Sequence, residues 1–257
     1  MKRLFSMIIL AILICLSGCS RNNTSKTELI VFAASSMTES LTDIAERYAE
    51  VNPNVKLTFN FDSSGTLKTQ IEEGASCDIF ISASQKPMNE FEYIIEESRF
   101  DLLENKIALV VPKDNPKNIN SFEDMVSHLN SGDILLAIGN SDVPVGDYTL
   151  EIFDYYNLDM NELDNSSCLT YGSNAKEVTT QVSENLVDCG IVYQTDAATA
   201  NLTVVDTANK QMCGDVIYPA AIINTTSDID DAISFLDYLK GDEASQIFKN
   251  YGFTPVS

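Results

Sequence analysis

The chain of 257 residues has no tryptophan, a single histidine, and only 16 basic side chains against 38 acidic ones. The scarcity of lysine and arginine argues against nucleic acid as a partner, because phosphate backbones are held by clustered cations. The one histidine, His128, lies among Val126, Leu129 and Asn130, far from every serine-rich turn, and no GxSxG elbow is present. That argues against a Ser/His/Asp hydrolase, whose base must sit beside its nucleophile. None of the four cysteines beyond the leader stands in a CxxC or comparable metal spacing. The acidic run DIDDA, Asp228 to Ala232, lacks the glycine and the distant glutamate of a calcium loop and reads as a charged helix start. No enzyme, resident metal or cofactor is expected.

Long apolar runs are missing except at the very beginning. MKRLFSMIILAILICLSGC carries Lys2 and Arg3, then about a dozen mostly apolar residues, then small residues before Cys19. The run is too short for a stable membrane span. Leu16 to Cys19 (LSGC) resembles the bacterial lipobox, which implies a signal peptide over residues 1–18, a lipid on the Cys19 sulfur, and an extracytoplasmic protein anchored to the cell membrane. Residues 19–28 then form a polar tether. Loss of Lys2 and Arg3 leaves 14 basic against 38 acidic residues, a net charge of minus 24. Such a field keeps the protein soluble and repels anionic ligands at long range, so any anion site must work through local dipoles. Cys77, Cys168, Cys189 and Cys213 are widely spaced and allow three pairings. Buried thiols or one incidental bridge are expected in a chain long enough to build its own core.

What is present is one local pattern, repeated. Ile30 to Glu50 runs from apolar residues through Ala33, Ala34, Ser35 and Ser36 into a helical period, which reads as strand, tight turn and helix. Ser36 and Glu39 have capping-box spacing, so Ser36 is the expected N-cap. A helix start offers unpaired amides and a partial positive charge, and small side chains let an anion approach them. The pattern recurs where the strand Val55 to Phe61 meets Asp62, Ser63, Ser64 and Gly65, opening a helix that Gly74 stops. A third turn holds Pro144, Val145 and Gly146 after the strand Ile134 to Gly139. A fourth holds Ser173 and Asn174 after Cys168 to Tyr171, with Asn174 and Glu177 again in capping-box spacing. Gly190 to Tyr193 brings a phenol to the same edge.

Further strands are expected at Cys77 to Ala83, Lys106 to Pro112, Leu202 to Val205 and Val216 to Ile223. Helices are expected around Met88 to Glu97, Ser121 to Leu129, Ile229 to Leu239 and Glu243 to Tyr251. Tyr155 and Tyr156 read as helix residues facing a core, and Lys68 and Lys176 as side chains reaching solvent. This alternation implies an α/β fold of two lobes, each a mixed, mostly parallel sheet flanked by helices. Pro112 with the Asn/Pro-rich run to Asn120, and a counterpart break near Tyr218, divide the chain. Lobe 1 is assigned residues 29–110 and 219–257, and lobe 2 residues 111–218. Ligands of such sheets sit beyond the carboxyl ends of the strands, here the cleft between lobes.

FAASSMTESL, FDSSGTLKTQIEEGASCDIFISA, VPVGDYTLEIF, SNAKEVTTQV, CGIVYQTDA and YLKGDEASQIFKNYGF together resemble the extracytoplasmic molybdate-binding proteins of ABC importers. The resemblance runs from about Ile30 to Phe253, with its segments in the family's order and spacing. It implies a two-lobed periplasmic-binding-protein-like fold that closes over its ligand, and a membrane permease with a cytoplasmic ATPase as partner. It also implies that Ser36 and Ser64 donate from hydroxyl and backbone, that the amides of Val145 and Ala175 donate from the second lobe, and that the Tyr193 hydroxyl completes the set. Ser35 and Ser63 could line the same turns. The chain departs from the family at Asp62, where a small neutral residue is usual and where the carboxylate should face solvent or cap its helix. Val145 and Ala175 also differ, harmlessly if only amides are used, and Cys77 differs without evident consequence.

Molybdate is a tetrahedral dianion that offers only acceptors, so hydroxyls and amides suit it and a protonated ligand would find no acceptor. Roughly six or seven charge-assisted hydrogen bonds could support micromolar to nanomolar binding by a monomer. Tungstate fits the same donors. Sulfate or another tetrahedral oxyanion is the alternative ligand, because donor chemistry alone does not separate them.

Overall fold

Strand β1, Thr27–Ala34, is buried on both faces from Val31 onward, which is why its sequence is continuously apolar there rather than alternating. The computed structural model describes residues 26–256. The signal segment, Cys19 and the first part of the tether lie outside the described residues. Thr27 and Glu28, assigned to the tether from sequence, instead pair with Val55 and Lys56 as the start of β1.

A 3-10 turn, Ser35–Met37, leads into α1 (Thr38–Val51), followed by β2 (Val55–Asp62), α2 (Ser64–Glu72), β3 (Ile79–Ile81) and α3 (Gln85–Asn89). Strands β4 (Phe100–Asn105) and β5 (Ile107–Val111) come next, then α4 (Phe122–Ser131), β6 (Leu136–Gly139), α5 (Pro144–Tyr155), α6 (Met160–Asn165), β7 (Leu169–Gly172) and α7 (Ala175–Ser183). The chain continues through β8 (Cys189–Tyr193), α8 (Gln194–Thr199), β9 (Thr203–Thr207), α9 (Lys210–Cys213) and β10 (Val216–Ile222), and closes with α10 (Ile229–Leu239), α11 (Asp242–Asn250) and β11 (Thr254–Pro255).

These strands form two sheets, β11-β4-β10-β3-β1-β2 and β7-β6-β8-β5-β9. Both are mixed, as expected, with most strands of each sheet running in one direction and β10, β11 and β5 running against them. Parallel pairs join β1 to β2 and β3, and β6 to β7 and β8, while β10, β4, β11, β5 and β9 pair antiparallel. The cause is the double crossing between lobes. A strand entering a lobe from the hinge begins at the cleft edge, whereas β1, β2, β3, β6, β7 and β8 end there. The carboxyl ends of these six strands therefore face one another across the cleft.

The division between lobes also falls earlier than Pro112 and Tyr218 suggested. β5 belongs to the second sheet, so the first crossing is Lys106, and β10 belongs to the first, so the second crossing lies between Thr207 and Val216. The proline-rich run to Asn120 is a surface loop inside the second lobe, with Asn115 and Asn118 at positive φ. The helix expected over Met88 to Glu97 ends at Asn89, because Ile94 bridges Ile223 and the Ile95 amide donates to Ile222. β4 escaped the sequence reading because its register shifts against β10. Leu103 pairs with Tyr218 and Asp101 with Pro219, so Leu102 and Leu103 both turn inward and period two is broken. All four cysteines in the described residues are buried free thiols, and burial pushes Cys77 up to about 12 and Cys189 higher, which makes them inert.

α10 and α11 complete the first lobe by packing on β1, β10 and α1, with Phe235 fully buried and edge-on to Tyr48 at 5.0 Å. Phe235→Ala should cost about 3 to 5 kcal/mol in urea unfolding. A loss under about 1 kcal/mol would show that the terminal helices are not part of the core.

Candidate functional site

The sites start as turns at the ends of inward-running strands. After β1 the chain makes its 3-10 turn before α1 begins, so Ser36 is not the N-cap expected from its spacing. Met37 occupies that position without a side-chain bond, and Glu39 reaches the other lobe instead, 2.6 Å from Lys176 Nζ. Ser36 Oγ lies 3.0 Å from the Tyr218 hydroxyl. Ser35 and Ser36 are both buried, and Thr38 Oγ1 donates to the Ser35 carbonyl at 2.6 Å.

After β2, Ser63 caps α2, its Oγ accepting from the Thr66 amide at 3.1 Å and approaching the Asp142 carbonyl of the second lobe at 3.2 Å. Asp62 accepts from the Ser63 amide at 2.7 Å, so its charge is spent on its own turn rather than on capping the helix. Ser64 is completely buried and its Oγ accepts from the Ala83 amide at 2.9 Å. The lobes approach so closely here that a Cβ on Gly65 would stand 2.4 Å from the Asp142 carbonyl oxygen. Only glycine fits.

The second lobe answers with two helix starts. Pro144 opens α5 and leaves Val145 among the amides that have no intrahelical acceptor. Asn174 caps α7, accepting from the Glu177 amide at 3.0 Å while the Glu177 carboxylate accepts from the Ser173 amide at 2.7 Å. Ala175, first residue of α7, likewise has a free helix-start amide, and this helix packs against the Ser35–Met37 turn across the cleft. Tyr193, at the end of β8, donates to the Ala83 carbonyl at 3.3 Å. The structure thus gathers Ser36, Ser64, Ala175 and Tyr193 along one interlobe seam, with Val145 on the loop side that meets Gly65.

Several residues of this seam were not picked out from sequence. Tyr218, in a stretch that reads only as a strand, bonds Ser36 and stacks edge-on with Tyr193 at 5.6 Å. Asn105 Nδ2 donates to Tyr218 at 3.1 Å and to Thr195 of the second lobe at 2.9 Å. Asp196, in the first turn of α8, is buried with its Oδ2 unpartnered. Burial raises its carboxyl to about 7, with Lys176 opposing and Glu39 adding to the shift. Lys176, expected in solvent, is held by its bond to Glu39, and Lys86 makes a second cross-lobe pair with Asp147 at 2.9 Å. Lys68 pairs with Glu72 along α2. Tyr155, expected in the core, is half exposed. His128 bonds Asp133, which also accepts from Ser131. Among the described residues no group of His, Cys, Asp and Glu is arranged to hold a metal ion.

The chain is similar to several known proteins. Molybdate-binding protein ModA of Escherichia coli is 35% identical over 239 residues, covering 88% of this chain and 89% of that protein. ModA of Haemophilus influenzae is 33% identical over 252 residues, covering 93% and 94%. The periplasmic molybdate-binding protein of Azotobacter vinelandii superposes with a TM-score of 0.76 at 20% identity, covering 89% of this chain and 100% of the other, and so shares the fold. Residues 29–254 match the model of the bacterial extracellular solute-binding proteins, and the chain belongs to that family.

Proposed function

We propose that the interlobe seam binds molybdate, with tungstate as a second ligand, and that the loaded protein delivers it to the permease of an ABC importer. The observation that carries this reading is the convergence of donors without cations. Two serine hydroxyls, two helix-start amides and a phenol from opposite lobes meet where no lysine or arginine is needed, and relatives named for molybdate binding share about a third of the sequence. Ser36 and Ser64 donate from the first lobe, and Val145, Ala175 and Tyr193 from the second. Ser35 and Ser63 shape the turns. Tyr193 must release the Ala83 carbonyl to donate to the anion, and its long 3.3 Å bond makes that exchange inexpensive. No cofactor takes part, and one chain suffices.

Calorimetric titration with molybdate, tungstate and sulfate tests the ligand. Molybdate and tungstate should bind and sulfate should trail them; a preference for sulfate sinks the assignment. Ser36→Ala and Ser64→Ala should each weaken molybdate binding by about 1 to 3 kcal/mol, and wild-type affinity in both would move the site elsewhere.

Asp196 sets a pH dependence. Its folded value near 7 lies above the ordinary carboxylate range, so it is neutral below that pH and ionised above it. Ionisation adds a negative charge beside the seam while molybdate remains a dianion. Affinity should therefore fall as pH rises through 7, and Asp196→Asn should flatten the profile. A wild-type profile flat from pH 6 to pH 8 contradicts this.

Cys19 is assigned the lipid anchor. Cys19→Ala should shift the protein from the membrane fraction to the medium or periplasm, and unchanged fractionation would refute the anchor.

A further inference from the structure

Tyr218 is fully buried, and its hydroxyl has two hydrogen-bond neighbours among the described residues, Asn105 Nδ2 and Ser36 Oγ. The Asn105 amide is oriented by its own hinge, because the Lys106 amide donates to Oδ1 at 2.8 Å and so leaves Nδ2 facing Tyr218 and Thr195. An amide nitrogen can only donate. The Tyr218 oxygen therefore accepts from Asn105, and its own proton has one acceptor to reach, the Ser36 Oγ. The opposite arrangement would leave a buried phenol proton unpaired. Burial holds that proton on the phenol well above its ordinary range. Ser36, having accepted, turns its proton to the cleft, as Ser64 does after accepting from Ala83.

We propose that Asn105 and Tyr218 are positioning residues that fix Ser36 as an obligate donor, so that the site admits fully ionised tetrahedral anions and rejects those carrying a proton. This rests on the oxyanion-binding reading above and adds the residues that enforce its selectivity. Asn105 also bonds Thr195 of the second lobe, which ties the start of the relay to the hinge. A lone serine hydroxyl could rotate and accept from a protonated ligand. The relay removes that freedom.

The test compares sulfate with hydrogen phosphate at pH 8, since the two are of similar size and charge and differ in one proton. Each is titrated as a competitor of bound molybdate. In Tyr218→Phe, Ser36 regains the ability to accept, so molybdate affinity should fall about tenfold and the sulfate-to-hydrogen-phosphate ratio should fall by a similar factor. Asn105→Asp replaces the donor by an acceptor and draws the Tyr218 proton away from Ser36, so it should lower the same ratio with the Tyr218 ring intact. A structural role for Tyr218 alone would leave the ratio in Asn105→Asp unchanged. If wild type binds molybdate and both variants keep its ratio within twofold, the relay is refuted and the binding reading stands. If wild type binds no tetrahedral oxyanion, both fall together.

Discussion

A dianion bound as proposed, by a chain of net charge minus 22, must be held by groups that act only at contact. Hydroxyl and amide dipoles lose their influence within a few ångströms, whereas the summed acidic field reaches a Debye length. Enough donors can touch one small tetrahedron only if they come from several directions, and a single turn supplies two or three. The two lobes, the strand ends that face each other and the close approach at Gly65 all follow from that need. So does the use of glycine opposite Asp142, where any side chain would hold the lobes apart.

Closure must also overcome the repulsion of two acidic bodies. The chain has few cations to spend, and two of them cross the cleft in opposite senses, Lys86 from the first lobe to Asp147 and Lys176 from the second to Glu39. Both pairs are partly exposed, so each contributes modestly and is weakened by salt. Their effect is to remove like-charge contacts at the rim rather than to clamp the lobes. Neither lysine is among the five donors of the proposed site, which leaves selection of the anion to hydrogen-bond geometry.

Much of this was legible in the residues. Helix starts at the Asp62 to Gly65 turn, at Asn174 and at Pro144 announced themselves because the chemistry of a helix start is local, set by small, capping or proline residues within a few positions. Ser36 shows the limit of the same rule. Its spacing with Glu39 is that of a capping box, yet the carboxylate is drawn to Lys176, 137 residues away, and the hydroxyl to Tyr218, 182 residues away. The lobe boundary misled for a related reason. Pro112 marks a break in the local pattern, but whether β5 joins one sheet or the other is set by its pairing with β8 and β9, which no local pattern contains. Asp196 and Asn105 were missed because an acid or amide next to a strand end has an ordinary surface role until the fold buries it, as with Asp196, or gives it distant partners, as with Asn105.

The aromatic series through the hinge shows how such long-range contacts become rigid. Tyr148 lies edge-on to Tyr193 at 6.3 Å, Tyr193 to Tyr218 at 5.6 Å and Tyr218 to Phe253 at 5.4 Å, a row that passes from the second lobe into the first. Edge-to-face packing fixes ring planes as well as distances. It therefore fixes where the phenol oxygens of Tyr193 and Tyr218 can lie. Burial keeps both phenols neutral, so each retains a proton to give. Phenylalanine at either position could preserve the row while losing its polar end, and only tyrosine both carries the packing across the hinge and delivers a hydrogen bond to the seam.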